Sequence, residues 1–284
     1  MLRLALSQRI LSKQTPDILV FDSGFGGVTV HREIVKTLAR ARYRYVADDA
    51  VFPYGELAPA ALIRRVLQVL EPLIAARAPD VLVIACNTAS TLVLPPLRSA
   101  YPGVAFVGTV PAVKPAAEKS RSNMISVLAT PGTVARDYTR ELIAAFADHC
   151  EVELVGSRRL APLAESFIRG EPVADADIAR EIAPCFVQRD GVRTDHVVLA
   201  CTHYPLLLGQ FTKLAPWPVE WIDPAPAIAR QVERLLVERG FGAGDGAPAS
   251  ESGELIFTSG RPIDAALLKR LAAFNLAPAE QAPT

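Results

Sequence analysis

The feature that most constrains the fold is a repeated alternation of short apolar runs with longer stretches of helical spacing. The apolar runs are rich in β-branched residues and predict buried strands at "DILVFD", "YRYVAD", "VLVIAC", "VAFVGT", "MISVLAT", "VELVGS", "HVVLAC", "VEWID" and "ELIFTS". Helical patterns such as "VHREIVKTLARA" and "APAIARQVERLLVERG" lie between them. Continuous apolar strands that alternate with helices indicate parallel sheet covered on both faces. The sequence therefore predicts an α/β protein.

Length and charge narrow the class further. A chain of 284 residues is long enough for one large domain or two modest ones. Half of the residues are hydrophobic, which is enough for a substantial core. The 30 basic side chains balance the 30 acidic ones, whereas nucleic-acid-binding domains usually carry a basic excess. We therefore expect no nucleic-acid partner.

The N-terminal stretch "MLRLALSQRILSKQT" mixes charged and polar residues into its apolar positions. It lacks the apolar segment and cleavage site of a secretory signal, and no run of about 18 uncharged apolar residues predicts a membrane span. The four cysteines form no CxxC pair, which argues against a zinc knuckle or a disulfide scaffold. We expect a cytoplasmic protein with free thiols and no membrane partner.

Four predicted strands end in residue types that bind or react. Ligands of open α/β sheets bind beyond the carboxyl ends of the strands. The four strand ends are Asp22-Ser23, Cys86-Asn87-Thr88, Thr130-Pro131-Gly132-Thr133 and Cys201-Thr202-His203. Two similar lobes facing each other across a cleft, each with one cysteine, is the simplest arrangement that uses all four.

Two segments have the composition of connections rather than of packed elements. The stretch "TVPAVKPAAEKSRSN", residues 109–123, is predicted to be a hinge or crossover between the lobes. The low-complexity stretch "GAGDGAPASESG", residues 242–253, is rich in Gly, Ala, Ser and Pro and predicts a mobile surface loop.

Cys86 and Cys201 occupy matching positions, each after an apolar run and before polar residues. Taken singly, a buried cysteine is more often a small core residue. The repetition favours chemistry, because a thiol near a helix N-terminus or a base becomes a usable thiolate. His203 is either a hydrogen-bonded turn residue or a catalytic neighbour of Cys201. Cys150 and Cys185 lack such partners and are expected to be structural.

The stretch "FDSGFGGVTV" places Asp22 and Ser23 before a glycine-rich turn that opens a helix. Such a turn can bind an anion with its backbone N–H groups. It is neither a Walker loop nor a dinucleotide fingerprint, because no Gly-Lys-Ser/Thr follows and Thr29 replaces the required glycine. A tight turn alone would explain the glycines but not Asp22. Further on, "PYG" reads locally as a turn, with Tyr54 suited to a pocket wall.

In this order, "FDSGFGGVTV", "PYG", "ACNTAS", "ATPGT" and "ACTHYPLL" resemble the cofactor-independent aspartate/glutamate racemase superfamily over residues 17–275. The stretches "CNTAS" and "CTHYP" favour its glutamate branch. The resemblance implies two similar, doubly wound parallel-sheet lobes with the active site in the cleft between them. The first lobe would comprise residues 1–110 together with 221–284, and the second residues 111–220. The resemblance also implies a homodimer that needs neither pyridoxal phosphate nor a metal.

The resemblance further implies a role for each matched residue. Cys86 and Cys201 would exchange protons with opposite faces of the substrate α-carbon, helped by Asp22 and His203. Substrate contacts are implied for Asp22, Ser23, Tyr54, Gly55, Asn87, Thr88, Thr130, Thr133, Glu165, Thr202 and His203. Glu165 is ordinary helix material by composition, and only the resemblance selects it. The expected reaction interconverts L- and D-glutamate and supplies D-glutamate for peptidoglycan synthesis.

Other functions are compatible with the same motifs. One is a different reaction of the superfamily, such as aspartate or hydantoin racemisation; a one-cysteine decarboxylation is disfavoured by the presence of both thiols. A different class is a non-catalytic amino-acid-binding module built on the same lobes, which gives no reason for paired thiols. Zinc is disfavoured because the four histidines form no ligand cluster.

Overall fold

The computed structural model describes residues 15–241 and 252–279. In these residues the chain forms two parallel sheets and one short antiparallel pair. The α/β class predicted from the sequence is confirmed. Residues 1–14 of the stretch tested for a secretory signal, and residues 242–251 of the predicted surface loop, lie outside the described residues.

The elements are numbered along the chain. The strands are β1 Asp17–Asp22, β2 Arg42–Ala47, β3 Val81–Ile84, β4 Ala105–Gly108, β5 Met124–Ala129, β6 Glu151–Gly156, β7 Gln188–Arg189, β8 Val192–Arg193, β9 His196–Ala200, β10 Glu220–Ile222, β11 Gly253–Phe257 and β12 Leu276–Pro278. The α-helices are α1 Val28–Thr37, α2 Pro59–Ala76, α3 Asn87–Ala100, α4 Val113–Lys119, α5 Pro131–Val134, α6 Asp137–Phe146, α7 Leu160–Arg169, α8 Asp175–Ile182, α9 Leu208–Leu214, α10 Ala225–Glu238 and α11 Ala265–Ala272. Short 3-10 helices span Asp49–Val51, Tyr54–Glu56, Ala183–Cys185 and Tyr204–Leu207.

The strands assemble into two separate parallel sheets. The first has the order β12-β11-β2-β1-β3-β4, and the second has the order β10-β9-β5-β6. All nine predicted runs coincide with strands of these two sheets. The chain leaves the first sheet after β4, builds the second, and returns to the first with β11. Residues 109–123 form the crossover and contain α4.

This path is the one that a discontinuous first lobe requires. The lobe boundaries, residues 1–110 with 221–284 and residues 111–220, stay a prediction. Below, "first lobe" and "second lobe" denote the two sheets with the helices that pack on them.

Each sheet is covered on both faces, which explains the continuous apolar runs. Along β1, Ile18 and Val20 belong to the cluster formed with α1, α10 and α11. The alternate residues Leu19 and Phe21 belong to the cluster formed with α2 and α3. Each such side chain, when fully buried, contributes roughly 1.5–3 kcal/mol to stability. In the second lobe, α7, α8 and α9 cover one face, and α4 and α6 cover the other.

Within residues 15–241 and 252–279, none of the helices has both the length and the apolar character that crossing a bilayer requires.

Candidate active site

The strand order brings the predicted strand ends together in pairs. Strand β1 lies beside β3 in parallel, and β5 lies beside β9 in the same way. The residues that follow parallel neighbours meet at one edge of the sheet. Asp22 therefore lies beside Cys86 in the first lobe, and Thr130 lies beside Cys201 in the second.

The two edges line a cavity, called here the inter-lobe cavity, with a volume of about 20 Å³. Its lining consists of Ser23, Phe52, Pro53, Tyr54, Gly55, Cys86, Asn87, Thr88, Thr130, Ala161, Cys201, Thr202 and His203. The cavity takes one thiol from each lobe, and Cys86 and Cys201 are only 5% and 7% exposed.

Three predicted site residues lie behind the cavity wall rather than on it. Asp22 accepts a hydrogen bond at 3.1 Å from the hydroxyl of Thr202. The hydroxyl of Thr133 lies 3.1 Å from that of Thr130. Glu165 lies 2.8 Å from the ring of His203. Each of the three therefore reaches the cavity through a side chain that lines it.

The Cys86 thiol is buried and lies near the negative charge of the Asp22 carboxylate. Cys86 is the residue immediately before α3, in an extended conformation. Burial and, to a smaller extent, the Asp22 carboxylate together raise the pKa of this thiol to about 12, against hydrogen bonds from the Ala89 N–H and Ser23. Burial likewise raises the pKa of Asp22, although the His203 charge opposes this. In the free protein Cys86 is therefore a thiol at neutral pH.

Cys201, His203 and Glu165 form a chain of polar contacts. The Cys201 sulfur lies 3.9 Å from Nδ1 of His203, and Nε2 of His203 lies 2.8 Å from Oε1 of Glu165. Burial alone would lower the pKa of His203, but Cys201 and Glu165 outweigh it and hold that pKa well above its usual value. With the ring protonated, Nε2–H donates to Glu165 and Nδ1–H points to the sulfur. His203 can thus hold a proton that Cys201 releases.

The composition of the glycine-rich turn suggested that it binds an anion from solution. In the structure its partner is instead a carboxylate of the protein. The Phe25 N–H donates to the Glu165 carboxylate at 2.6 Å. A Cβ on Gly24 would lie 2.4 Å from Oε1 of Glu165, and one on Gly26 would lie 2.4 Å from Nδ1 of His203. The anion at this turn is therefore a carboxylate of the second lobe, and the glycines provide the room for its approach.

Asn87 presents an unpartnered amide to the cavity. It is 2% exposed, and neither Oδ1 nor Nδ2 has a hydrogen-bond partner among the described residues. A buried polar group without a partner costs ~1–3 kcal/mol. Because Asn87 lines the inter-lobe cavity, its amide is available to a molecule bound there.

Three hydroxyl groups meet where the lobes touch. The Thr88 Oγ1 from the first lobe lies 3.0 Å from the Thr130 Oγ1 and 3.4 Å from the Thr133 Oγ1 of the second lobe. The Thr130 hydroxyl also accepts the Thr133 N–H at 3.3 Å and caps α5. Hydroxyls both donate and accept, so this group can turn donors toward a carboxylate.

Asp48, which was not predicted from the sequence, supports Tyr54. The buried carboxylate of Asp48 accepts hydrogen bonds from the Tyr54 hydroxyl, Arg65 and Thr258. Its pKa is lowered, because these hydrogen bonds outweigh the opposing effect of burial. The sequence position of Asp48 could have indicated this role. Asp48 directly follows β2, and Asp22 ends the neighbouring strand β1, so the two aspartates lie at the same edge of the sheet.

No site role was predicted for Phe52, Pro53 and Ala161, which line the cavity. Their apolar side chains carry no chemical signal in the sequence.

Across the described part of the chain, no group of three or more His, Cys, Asp or Glu side chains is placed to hold a metal ion.

The fold and cavity define a two-lobed α/β protein that brings one thiol from each lobe to a single buried site. The family model of Asp/Glu/hydantoin racemases matches residues 18–232. The chain belongs to that family and is thus an isomerase, as its motifs predicted.

Individual relatives extend the match over most of the chain. A glutamate racemase of Brucella canis is 54% identical over 259 residues, covering 91% of this chain and 92% of the relative. One from Rhizobium meliloti is 54% identical over 260 residues, with the same coverage of 91% and 92%. The crystal structure of Escherichia coli glutamate racemase, in complex with L-glutamate and the activator UDP-MurNAc-Ala, superposes with a TM-score of 0.82. It is 37% identical, over 93% of this chain and 97% of the other.

Proposed function

We propose that this chain is a glutamate racemase that interconverts L- and D-glutamate with Cys86 and Cys201 as its two bases. The observation that carries the proposal is that thiols from both lobes line one small buried cavity. The names of the relatives support glutamate as the substrate. A buried amide without a partner, that of Asn87, supports a polar ligand in this cavity.

Each polar group of glutamate has a complementary group in the proposed site. The Asn87 amide and the Thr88 and Thr130 hydroxyls would bind the α-carboxylate. Such prearranged donors also stabilise negative charge that develops toward this carboxylate as the α-proton leaves. The Thr202 hydroxyl, which donates to Asp22 behind the cavity wall, would accept a hydrogen bond from the substrate ammonium. Ser23, Tyr54 and Gly55 line the remaining wall and would contact the side-chain carboxylate.

The proton inventory balances over one turnover. One thiolate takes the α-proton and becomes a thiol, while the opposite thiol gives its proton to the other face of Cα and becomes a thiolate. In the free protein Cys86 is the protonated member, since its pKa is about 12. Cys201 lies next to His203, which can take its proton while Glu165 holds the ring in place. The reverse reaction starts from the exchanged protonation states.

The remaining parts of the proposal follow from the family resemblance. The two thiols perform the chemistry without pyridoxal phosphate or a metal, and the protein works as a cytoplasmic homodimer. Its product, D-glutamate, enters peptidoglycan synthesis. The dimer is tested by light scattering of the purified protein.

The reaction is tested by circular dichroism with L-glutamate and L-aspartate side by side, followed by isotope exchange in deuterated water. We expect glutamate to racemise without added cofactor and to gain deuterium at Cα. Cys86→Ala and Cys201→Ala should each abolish turnover. The matched control is Cys150→Ala, since Cys150 lies outside the cavity and should be dispensable.

Three outcomes would contradict the proposal. Near-normal turnover of the Cys86→Ala variant would rule out the two-base assignment. Racemisation of aspartate but not glutamate would reassign the substrate within the family. Binding of glutamate without isotope exchange would identify a non-catalytic binding module.

A further inference from the structure

The inter-lobe cavity adjoins a second depression with a volume of about 40 Å³, called here the outer recess. The two share Pro53, Gly55, Thr130 and Ala161 as common wall. The remaining lining of the recess consists of Glu56, Pro131, Ser157 and Arg158. Glu56 and Arg158 are exposed, whereas the two cavity cysteines are buried. The outer recess therefore lies on the solvent side of the cavity.

Arg158 is the cation of the outer recess, and within the described residues its guanidinium has no hydrogen bond or ion pair. Its neighbour Arg159 differs sharply, since it donates to Asp177 at 3.0 Å and lies 4.0 Å from Glu181. Glu181 also accepts the Ser157 hydroxyl at 2.6 Å. Asp177 and Glu181 thus have partners already, and Arg158 lines the recess without an ion pair to either of them, with Glu56 as the acid of the same recess.

The backbone fixes Arg158 at the rim. Strand β6 ends at Gly156, and a Cβ on this glycine would lie 3.3 Å from the Cα of Pro131. This close approach holds the segment after β6 against the start of α5. Thr130, which caps α5, is part of the wall that the recess shares with the cavity. The base of the Arg158 side chain is therefore anchored beside that shared wall.

We propose that Arg158 recruits the anionic substrate from solution into the inter-lobe cavity, an inference that rests on the proposed function. Glutamate carries two carboxylates and one ammonium at neutral pH and is therefore a net anion. An unpaired guanidinium at the rim of a concave site raises the local concentration of such an anion and its rate of entry. Glu56 lies in the same recess and repels carboxylates. The substrate is therefore attracted only to the part of the recess that Arg158 lines.

In this proposal, Arg158 affects the binding of the substrate and not the proton transfers at Cys86 and Cys201. Arg158 lines the recess and is absent from the lining of the cavity that holds Cys86 and Cys201. Its removal should therefore change KM and leave kcat largely intact. The effect should also weaken with salt, because mobile ions screen exposed charges over ~10 Å at 0.1 M ionic strength.

The experiment compares Arg158→Gln with Arg159→Gln, two neighbouring substitutions that remove the same charge. Both variants and the wild-type protein are assayed for kcat and KM with L- and D-glutamate at low and high salt. We expect Arg158→Gln to raise KM roughly 3–10-fold at low salt, with kcat within about twofold. It should also flatten the salt dependence of kcat/KM. Arg158→Lys, which keeps the positive charge, should restore most of the loss.

The outcomes distinguish this inference from the proposed function. If the wild-type protein racemises glutamate but Arg158→Gln and Arg159→Gln share one KM and one salt dependence, the recruiting role is wrong and the racemase remains. A fall in kcat without a change in KM would also overturn it. If the wild-type protein does not racemise glutamate, the proposed function fails first and the recruiting role falls with it. Thermal unfolding of both variants verifies that each is folded.

Discussion

The Thr202 hydroxyl donates to Oδ1 of Asp22 at 3.1 Å, although the two residues come from strand ends of different sheets. Oδ2 of Asp22 meanwhile accepts the Gly24 N–H at 3.0 Å, so both carboxylate oxygens are engaged. The contact holds the two lobes in register behind the cavity, and it orients the carboxylate that lies next to Cys86.

Replacing Thr202 with Val should remove this hydrogen bond while keeping the shape of the side chain. A hydrogen bond to a charged group contributes ~1.5–3 kcal/mol, so we expect kcat/KM to fall about 10–100-fold if that energy is expressed in the transition state. The measurement is racemisation kinetics by circular dichroism. Thr202→Ser keeps the hydroxyl and should retain most activity; equal losses in the two variants would assign the effect to packing.

Replacing Gly26 with Ala should displace His203. The added Cβ would lie 2.4 Å from Nδ1 and 2.7 Å from the backbone nitrogen of that residue. A shift of about 1 Å at a catalytic group can cost on the order of 100-fold in rate, and we expect a fall in kcat of that size. Gly209→Ala is the control, because nothing lies within 4 Å of its Cβ position. Normal kcat in Gly26→Ala would show that His203 does not need its present position.

The Cys86 thiol should react slowly with iodoacetamide in the free protein. With a pKa of about 12, only roughly one molecule in ten thousand carries the thiolate at pH 8. Mass spectrometry of the Cys86 peptide should show the rate rising about tenfold per pH unit between pH 7 and 9. Asp22→Asn removes a charge that raises this pKa, so it should react faster at every pH.

Asp137→Asn is the control for that experiment, since Asp137 is exposed on α6, away from the cavity. A Cys86 rate that does not change with pH would contradict the raised pKa.

His31 should make the protein sensitive to mild acid. Its ring is fully buried next to Tyr43 and Tyr45, and burial lowers its pKa to about 4 against a smaller opposing effect of the Asn275 and Phe274 backbone. The unfolded chain therefore binds more protons than the folded one between pH 6.5 and 4. The free energy of unfolding should fall as the pH drops through this window, by up to about 3 kcal/mol.

Urea denaturation between pH 6.5 and 4.5 tests this, with His31→Phe as the variant that cannot titrate. The variant should lose less stability over this range than the wild-type protein does. His149→Phe, at an exposed position, should behave like the wild-type protein. Parallel pH profiles for wild type and His31→Phe would show that His31 does not cause the acid sensitivity.

The fold was largely predictable because burial on both faces leaves a direct trace in the sequence. The run "VLVIAC" predicted β3, which ends at Ile84, and the polar residues after it mark where packing stops. The elements that were missed are short: β12 spans Leu276–Pro278, and β7 and β8 have two exposed residues each. Such segments show no periodicity, since a neighbouring strand rather than their own composition decides their conformation.

Candidate site residues that directly follow a strand could be predicted from the sequence. Those that lie within a helix and reach the site through a long-range contact could not. Cys86 and Cys201 were selected because each lies where an apolar run changes to polar residues. Glu165 lies inside α7, and its contact with Phe25 spans 140 residues, so only the family resemblance selected it. The glycine-rich turn was correctly linked to an anion, but local sequence cannot show that this anion is the protein's own carboxylate.

The return of the chain to its first sheet has a consequence for synthesis. Strand β2 has β1 on one side and β11 on the other, and β11 begins only at Gly253. During translation the four strands of the second sheet, which end at Ile222, are all synthesised before that neighbour. In the nascent chain, the edge of β2 that later pairs with β11 therefore stays unpaired until after the whole second sheet has been made.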